Sequence, residues 1–217
     1  MKNLRSSSSR LLPFALIVTG IILATPRLLA QPEIHSLMQL QYKGAETCLL
    51  CHGPGGMLGQ DKGHEVMATT HWTWAHTNTP PGHTQVMGKK NIINNYCVAT
   101  PSNEPRCTSC HVGIGWRDNS FDFNNPNNID CLVCHDTTGT YKKTPTGAGV
   151  PDPSLNLTNI AVRAGKTSRA TCGACHFYGG GGDAVKHGDL DSTMTNPSRA
   201  LDVHMGVDGA NMSCVDC

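Results

Sequence analysis

Cys107-Thr108-Ser109-Cys110-His111 and Cys131-Leu132-Val133-Cys134-His135 decide how this chain is read. In each string two thiols three residues apart are followed at once by an imidazole, the attachment signature of c-type haem. The thiols bond covalently to the porphyrin's vinyl groups, and the imidazole ligates the iron. The string returns complete as Cys48-Leu49-Leu50-Cys51-His52 and as Cys172-Gly173-Ala174-Cys175-His176. A fifth starts at Cys214-Val215-Asp216-Cys217, and the sequence stops one residue short of its histidine. One match arises by chance; four complete copies are a specific signal.

Zinc is the competing use of Cys-x-x-Cys, and it favours a second pair or two histidines further along. Here a histidine directly follows each complete pair. A disulfide framework needs no such histidine. Ten of the eleven cysteines fall in the five pairs, and Cys97 is left over.

The composition agrees with a cofactor-built interior. Only 5% of the 217 residues are aromatic, while glycine and proline number 23 and 13. A core made of protein alone would be thin, whereas each haem is a large apolar plate for side chains to pack on. The expected fold is mainly α with extensive loops, short helices packed around covalently bound haems, and little sheet. That is a multihaem cytochrome c architecture, and it occupies residues 31–217.

Residues 1–30 read as a signal peptide. Lys2, Arg5 and Arg10 form the charged start, Leu11 to Ala24 the apolar run, and Leu28-Leu29-Ala30 a cleavage site before Gln31. The run is short for a membrane anchor and contains Pro13. The chain is therefore expected to be exported, which agrees with haem attachment outside the cytoplasm. The formal charge is +1, but the leader carries four basic residues and no acid. From residue 31 onward 13 basic residues face 16 acidic ones, a net of −3. Nothing in that balance suggests nucleic acid as a partner.

Distal iron ligands are sought among the remaining histidines. His71 lies in a stretch of helical spacing from His64 to His76, beside Trp72 and Trp74, and is the first candidate. His204 and His187 follow; His64, His76 and His83 sit in more polar or Pro/Gly-rich surroundings. His35 stands alone before the first motif, either a distal ligand or a surface histidine, and the surface reading is preferred. Residues 144–167 read as a surface connection, and Ser168 as the cap of a short helix entering the fourth motif. The run Gly179-Gly180-Gly181-Gly182 lacks the Gly-Lys-Ser/Thr ending of a phosphate loop, so nucleotide binding is rejected. It reads as a tight loop with Lys186 or His187 aimed at iron.

Other strings carry a resemblance. These are Glu65-Val66-Met67-Ala68-Thr69-Thr70-His71-Trp72-Thr73-Trp74, Gly88-Lys89-Lys90-Asn91, Asn94-Asn95-Tyr96-Cys97 and Ser102-Asn103-Glu104-Pro105-Arg106-Cys107. With Asp130 to Gly149, and Cys172 through His187 to His204, the chain resembles the octahaem tetrathionate reductase family of periplasmic c-type cytochromes. The likeness covers nearly all of 45–217. It implies haem c as cofactor, eight groups in full-length members against four complete sites and part of a fifth here. The stop at Cys217 accordingly reads as a truncated C-terminus.

The resemblance further implies that one haem, that of His111, is ligated by a lysine instead of a second histidine. That role falls on Lys186, with Cys97 and Asn94 nearby as catalytic residues and Lys142 or Lys143 as alternative ligands. An amine must lose its proton to bind iron, from an ordinary pKa of about 10.4, and the metal's charge can drive that loss. The implied function is a periplasmic reductase acting on tetrathionate, nitrite or hydroxylamine. The alternative is a non-catalytic electron carrier. The implied partners are a small anionic substrate and an electron donor, either a redox protein or a membrane quinol-oxidising cytochrome; the oligomeric state is left open.

Overall fold

A computed structural model describes residues 33–77, 82, 86–91, 104–177, 179, 181–185 and 188–217. Short helices carry the attachment motifs. Helix α1 (Glu33–Leu37) precedes α2 (Ala45–His52), which holds the first motif. Then come α3 (Lys62–Met67), α4 (Thr70–Thr73) and a minimal hairpin of β1 (His76–Thr77) and β2 (Val86–Met87). The two strands are antiparallel, with His76 opposite Met87 and Thr77 opposite Val86. Helix α5 (Glu104–Cys107) runs into a 3₁₀ turn, Thr108–Cys110, so the second motif straddles both. Helices α6 (Cys131–His135), α7 (Leu157–Ala161) and α8 (Arg169–His176) follow, and Cys214–Asp216 forms a last 3₁₀ turn. Mainly helical, loop-rich and poor in sheet, this is the expected class.

Polar caps start α3, α6, α7 and α8, because a helix of five to eight residues has little else to stabilise it. Asp61 accepts the His64 N–H at 3.1 Å, Asp130 that of Val133 at 3.2 Å, and Asn156 that of Asn159 at 2.9 Å. At Ser168 the expected cap is a full capping box. Ser168 Oγ accepts the Thr171 N–H at 3.2 Å, and Thr171 Oγ1 accepts the Ser168 N–H at 2.9 Å. A reciprocal pair of this kind satisfies two otherwise orphaned donors.

Two readings are corrected. The His64–His76 stretch is not one helix: it breaks at Ala68-Thr69 and ends at Trp74, whose φ of 47° lies in the left-handed region. Thr69 Oγ1 donates to the Val66 carbonyl at 2.7 Å, a local bond that competes with helix continuation. Nor is 144–167 merely a surface connection. Within it α7 buries Ile160 and Ala161 against Leu132, and Tyr42, Tyr141 and Leu157 pack around them.

The protein core is thin, as composition requires. A first cluster joins Ala45, Trp72, Val112 and Ile129, with Leu49, Val66, Phe121 and Phe123 against it. Trp72 is only 2% exposed and donates its indole N–H to the Phe123 carbonyl at 2.9 Å. It holds α4 onto the loop between the second and third motifs. Trp72→Ala is expected to lower unfolding free energy by about 3–5 kcal/mol. Trp72→Phe, which keeps the apolar ring and loses the donor, should cost about 1–3 kcal/mol. Equilibrium denaturation of both variants checks the difference.

Candidate functional site

On a helical turn the two motif cysteines lie three residues apart and share a face, with the histidine directly after them. The described motifs converge. Cys48 and Cys131 are within hydrogen-bonding reach, as are Cys110 and Cys175, and Cys172 and Cys214. First and third motifs therefore meet, as do second and fourth, and the fourth meets the final pair. Burial and the thiol partners together raise the Cys131 and Cys175 pKa values, and burial foremost lifts Cys172 to about 11. No disulfide joins any of the ten motif cysteines.

The histidines show which nitrogen each presents. A backbone carbonyl only accepts, so a ring nitrogen bonded to one must carry the proton. His135 Nδ1 donates to the Gly165 carbonyl at 2.7 Å, and His176 Nδ1 donates to the Gly188 carbonyl at 2.5 Å. Both rings are thereby fixed with the Nε2 lone pair outward, the arrangement that orients metal-binding histidines.

Two imidazole pairs add a length scale. His35 faces His52 with ring centres 6.3 Å apart, and His71 faces His176 at 6.1 Å. With metal–nitrogen bonds of about 2.0 Å and about 1.1 Å from nitrogen to ring centre, two imidazoles across one ion stand about 6.2 Å apart. A direct ring-to-ring hydrogen bond would bring the centres to about 5 Å. The observed gaps match the first distance. His35 Nδ1, moreover, is buried without a hydrogen-bond partner. Burial, then the neighbouring imidazole, depresses the pKa of both His52 and His71, keeping them neutral and able to donate a lone pair. Among the described residues no three His, Cys, Asp or Glu side chains gather as a metal cluster. Pairs suit a haem, whose porphyrin supplies the other four iron ligands; zinc would need four from the protein. The residues at the first and fourth motifs thus fit haem c, and the third offers the outward Nε2 of His135.

The second motif differs. His111 is fully buried, ringed by Trp72, Trp74, Trp116, Phe121 and Phe123 with ring centres 4.9–5.9 Å away. Its Nε2 donates to the Trp72 carbonyl at 2.6 Å, and its Nδ1 accepts the Gly113 N–H at 2.9 Å. Burial is the main cause that lowers its pKa to about 4. Expected as an iron ligand, this ring has both nitrogens engaged by the backbone.

Of the other expected residues, Lys186, His187, Cys97, Asn94 and His83 lie outside the described residues. So does the leader, residues 1–30. His71 meets His176, whereas His204 lies exposed in the 201–206 turn, its N–H bonded to Asp202. His64 forms a surface pair with Asp61 at 2.6 Å, and His76 sits on β1. Lys142 pairs with Asp152 at 3.1 Å. Lys143 is buried against Asp130 at 3.2 Å and donates to the His111 carbonyl at 2.6 Å. Lys89 lies over Trp74, and Lys90 lies 3.9 Å over Phe123. Lys90, Asn91, Trp72, Phe123 and Val86 line a cavity of about 500 Å³.

Sequence reasoning preferred the surface reading of His35 over the distal-ligand one, whereas α1 places it against His52. Its only signal was its position ahead of the first motif. Sequence reasoning missed Arg169, which donates to the Met205 and Met212 carbonyls at 2.5 Å and joins α8 to the loop before Cys214.

No family model matches this chain. It is 25% identical over 232 residues to an uncharacterized protein of Archaeoglobus fulgidus, covering 82% of this chain and 73% of that one. Among solved structures, the crystal structure of octaheme cytochrome c from Shewanella oneidensis is similar with a TM-score of 0.72 and 48% identity. That match covers 84% of this chain and 40% of the octaheme protein, so the chain spans less than half of its length. The likeness supports a multihaem cytochrome with haem c and a redox role. No described helix is long and apolar enough to cross a membrane.

Gly113 sets how closely backbone approaches His111. A Cβ there would lie 2.7 Å from His111 Nδ1 and 2.9 Å from Phe121 Cζ. Gly113→Ala is expected to displace the ring and cost about 1–3 kcal/mol of stability. Thermal unfolding, with the His111 ring resonances followed by NMR, checks both effects.

Proposed function

We propose that the chain relays electrons through covalently attached haems and, in its sharper form, reduces a small anion at the second motif. The observation that carries the relay is the pair of imidazole couples, His35–His52 and His71–His176, held at the separation one metal ion requires. When bound, haem c supplies one-electron exchange at its iron. The protein supplies the rest. Cysteine pairs would tether each group, His52, His135 and His176 would each supply an imidazole nitrogen to iron, and His35 and His71 would supply a second at two sites. The Gly165 and Gly188 carbonyls hold the ring tautomers, and the convergence of the motif cysteines keeps the sites close.

The reductase reading rests on the residues shared with the octahaem tetrathionate reductases. By that resemblance Lys186 would serve as an exchangeable ligand to the His111 haem, with Cys97 and Asn94 as catalytic residues. For His111 to ligate, its Nε2 must release the Trp72 carbonyl. Reduction of tetrathionate takes two electrons, breaks the central S–S bond of the dianion and yields two thiosulfates. Lys89, Lys90, Arg106 and Lys186 supply positive charge for the incoming anion. Nitrite and hydroxylamine are the other substrates this reading allows. The leader routes the protein to the periplasm, where a soluble redox protein or a membrane quinol-oxidising cytochrome delivers electrons. The second reading, a carrier without catalysis, is favoured if every haem is closed by two histidines.

Expression with the export and haem-attachment machinery tests the proposal. The intact mass should rise by four haems, and His35→Ala and His71→Ala should each turn one haem from low to high spin in the oxidised spectrum. Unchanged spectra in both variants would overturn the ligand assignment. Low-temperature EPR then separates the two readings: one amine-ligated haem supports the reductase, uniform bis-histidine ligation the carrier.

A further inference from the structure

The two imidazole couples differ in twist. The ring planes of His35 and His52 meet at 56°, those of His71 and His176 at 89°. The crossed pair is held from both sides. His71 rides on α4, which Trp72 pins by its burial and by its indole bond to the Phe123 carbonyl. His176 closes α8, and its Nδ1 donates to the Gly188 carbonyl at 2.5 Å. The Leu190 N–H donates back to the His176 carbonyl at 2.6 Å, and Phe177 bridges to Leu190, so the 188–190 turn is clamped to the helix end.

Gly188 has a φ of 88°, in the left-handed region. A Cβ there would stand 3.9 Å from His176 Nδ1 and Cε1, an ordinary contact, so space is not what demands glycine. The demand is the backbone angle, which aims the carbonyl at the ring and which a branched side chain resists. A hydrogen bond to the outer nitrogen of a metal-binding histidine fixes the orientation of its ring.

The angle between two axial rings matters to the iron they share. Each imidazole overlaps, through its π system, with one of two iron d orbitals. Parallel rings engage the same orbital and split the two in energy, whereas rings at right angles engage one each and leave them nearly equal. The splitting stabilises the ferric state, so crossed rings lean toward the ferrous one and give a ferric EPR signal of much larger anisotropy. At 89° the crossing is at its limit, so any rotation of His176 can only reduce it.

We propose that Gly188 is a positioning residue that locks the His176 ring crosswise to His71, and so sets the haem of the fourth motif apart from that of the first. This rests on the multihaem reading above, in which each imidazole couple closes one haem. Gly188 ligates nothing; it acts on the ring through its carbonyl.

EPR of the oxidised, haem-loaded protein reads the ring angle, with haem number checked by intact mass. The parent should show a strongly anisotropic low-spin signal that His71→Ala abolishes, and a less anisotropic one that His35→Ala abolishes. Gly188→Val should shift the first signal toward the less anisotropic form at unchanged haem number and leave the second in place. Gly188→Asn, a residue that tolerates the left-handed region, should keep the parent spectrum. A strongly anisotropic signal retained in Gly188→Val would reduce Gly188 to a turn residue. Should that variant load no haem, the parent still decides: loss of the less anisotropic signal in His71→Ala overturns the inference. If the parent binds no haem, the multihaem reading fails. If haems bind and neither histidine variant alters a signal, the ligand assignment fails; if both do and the anisotropies are reversed or equal, this inference alone fails.

Discussion

A carboxylate with no access to water has to find its partners inside the protein, and Asp130 finds three: the Tyr141 hydroxyl, the Lys143 ammonium and the Val133 N–H. Satisfying it commits four pieces of chain. The α6 helix begins where its side chain caps the third motif. Its own N–H donates to the Val112 carbonyl at 2.7 Å, which draws the second motif alongside. Tyr141 and Lys143 must return from beyond α6, and Lys143 then reaches the His111 carbonyl. Little of this bonding is helix or sheet ladder, which explains how so loop-rich a chain holds two attachment motifs in register.

Around that network the apolar packing divides in two. One cluster centres on Trp72 and surrounds His111 with aromatic rings; the other closes Leu132 of the third motif under Ile160 and Ala161 of α7. Neither is large. In the imidazole couples, separations of 6.1 and 6.3 Å are too long for a ring-to-ring hydrogen bond and suited to two nitrogens sharing one ion. Burial that keeps His52 and His71 neutral preserves the lone pairs that such sharing needs.

The second motif follows another logic. Its sequence is as complete as the rest, yet α5 gives way to a 3₁₀ turn before His111, whose backbone then becomes extended (φ −65°, ψ 145°). The ring turns into the aromatic cluster, while His135 and His176 end their helices in the last turn and face outward. A five-residue string cannot express that difference, because it arises from Trp72, Gly113 and Phe121, which approach from other parts of the chain.

The sequence by itself determined the cofactor chemistry and the fold class, since Cys-x-x-Cys-His is a local device whose residues adjoin, and since glycine-rich, aromatic-poor composition limits any protein core. It also determined the Ser168 cap, again a matter of near neighbours. His71 was legible as a ligand candidate, though not its partner. Tertiary structure alone decided that His35 faces His52, that Lys143 pairs with Asp130, and that α7 is core. Each of those depends on residues far apart in the chain coming to one place, and desolvation there, not residue type, settles which nitrogen or oxygen each side chain must satisfy.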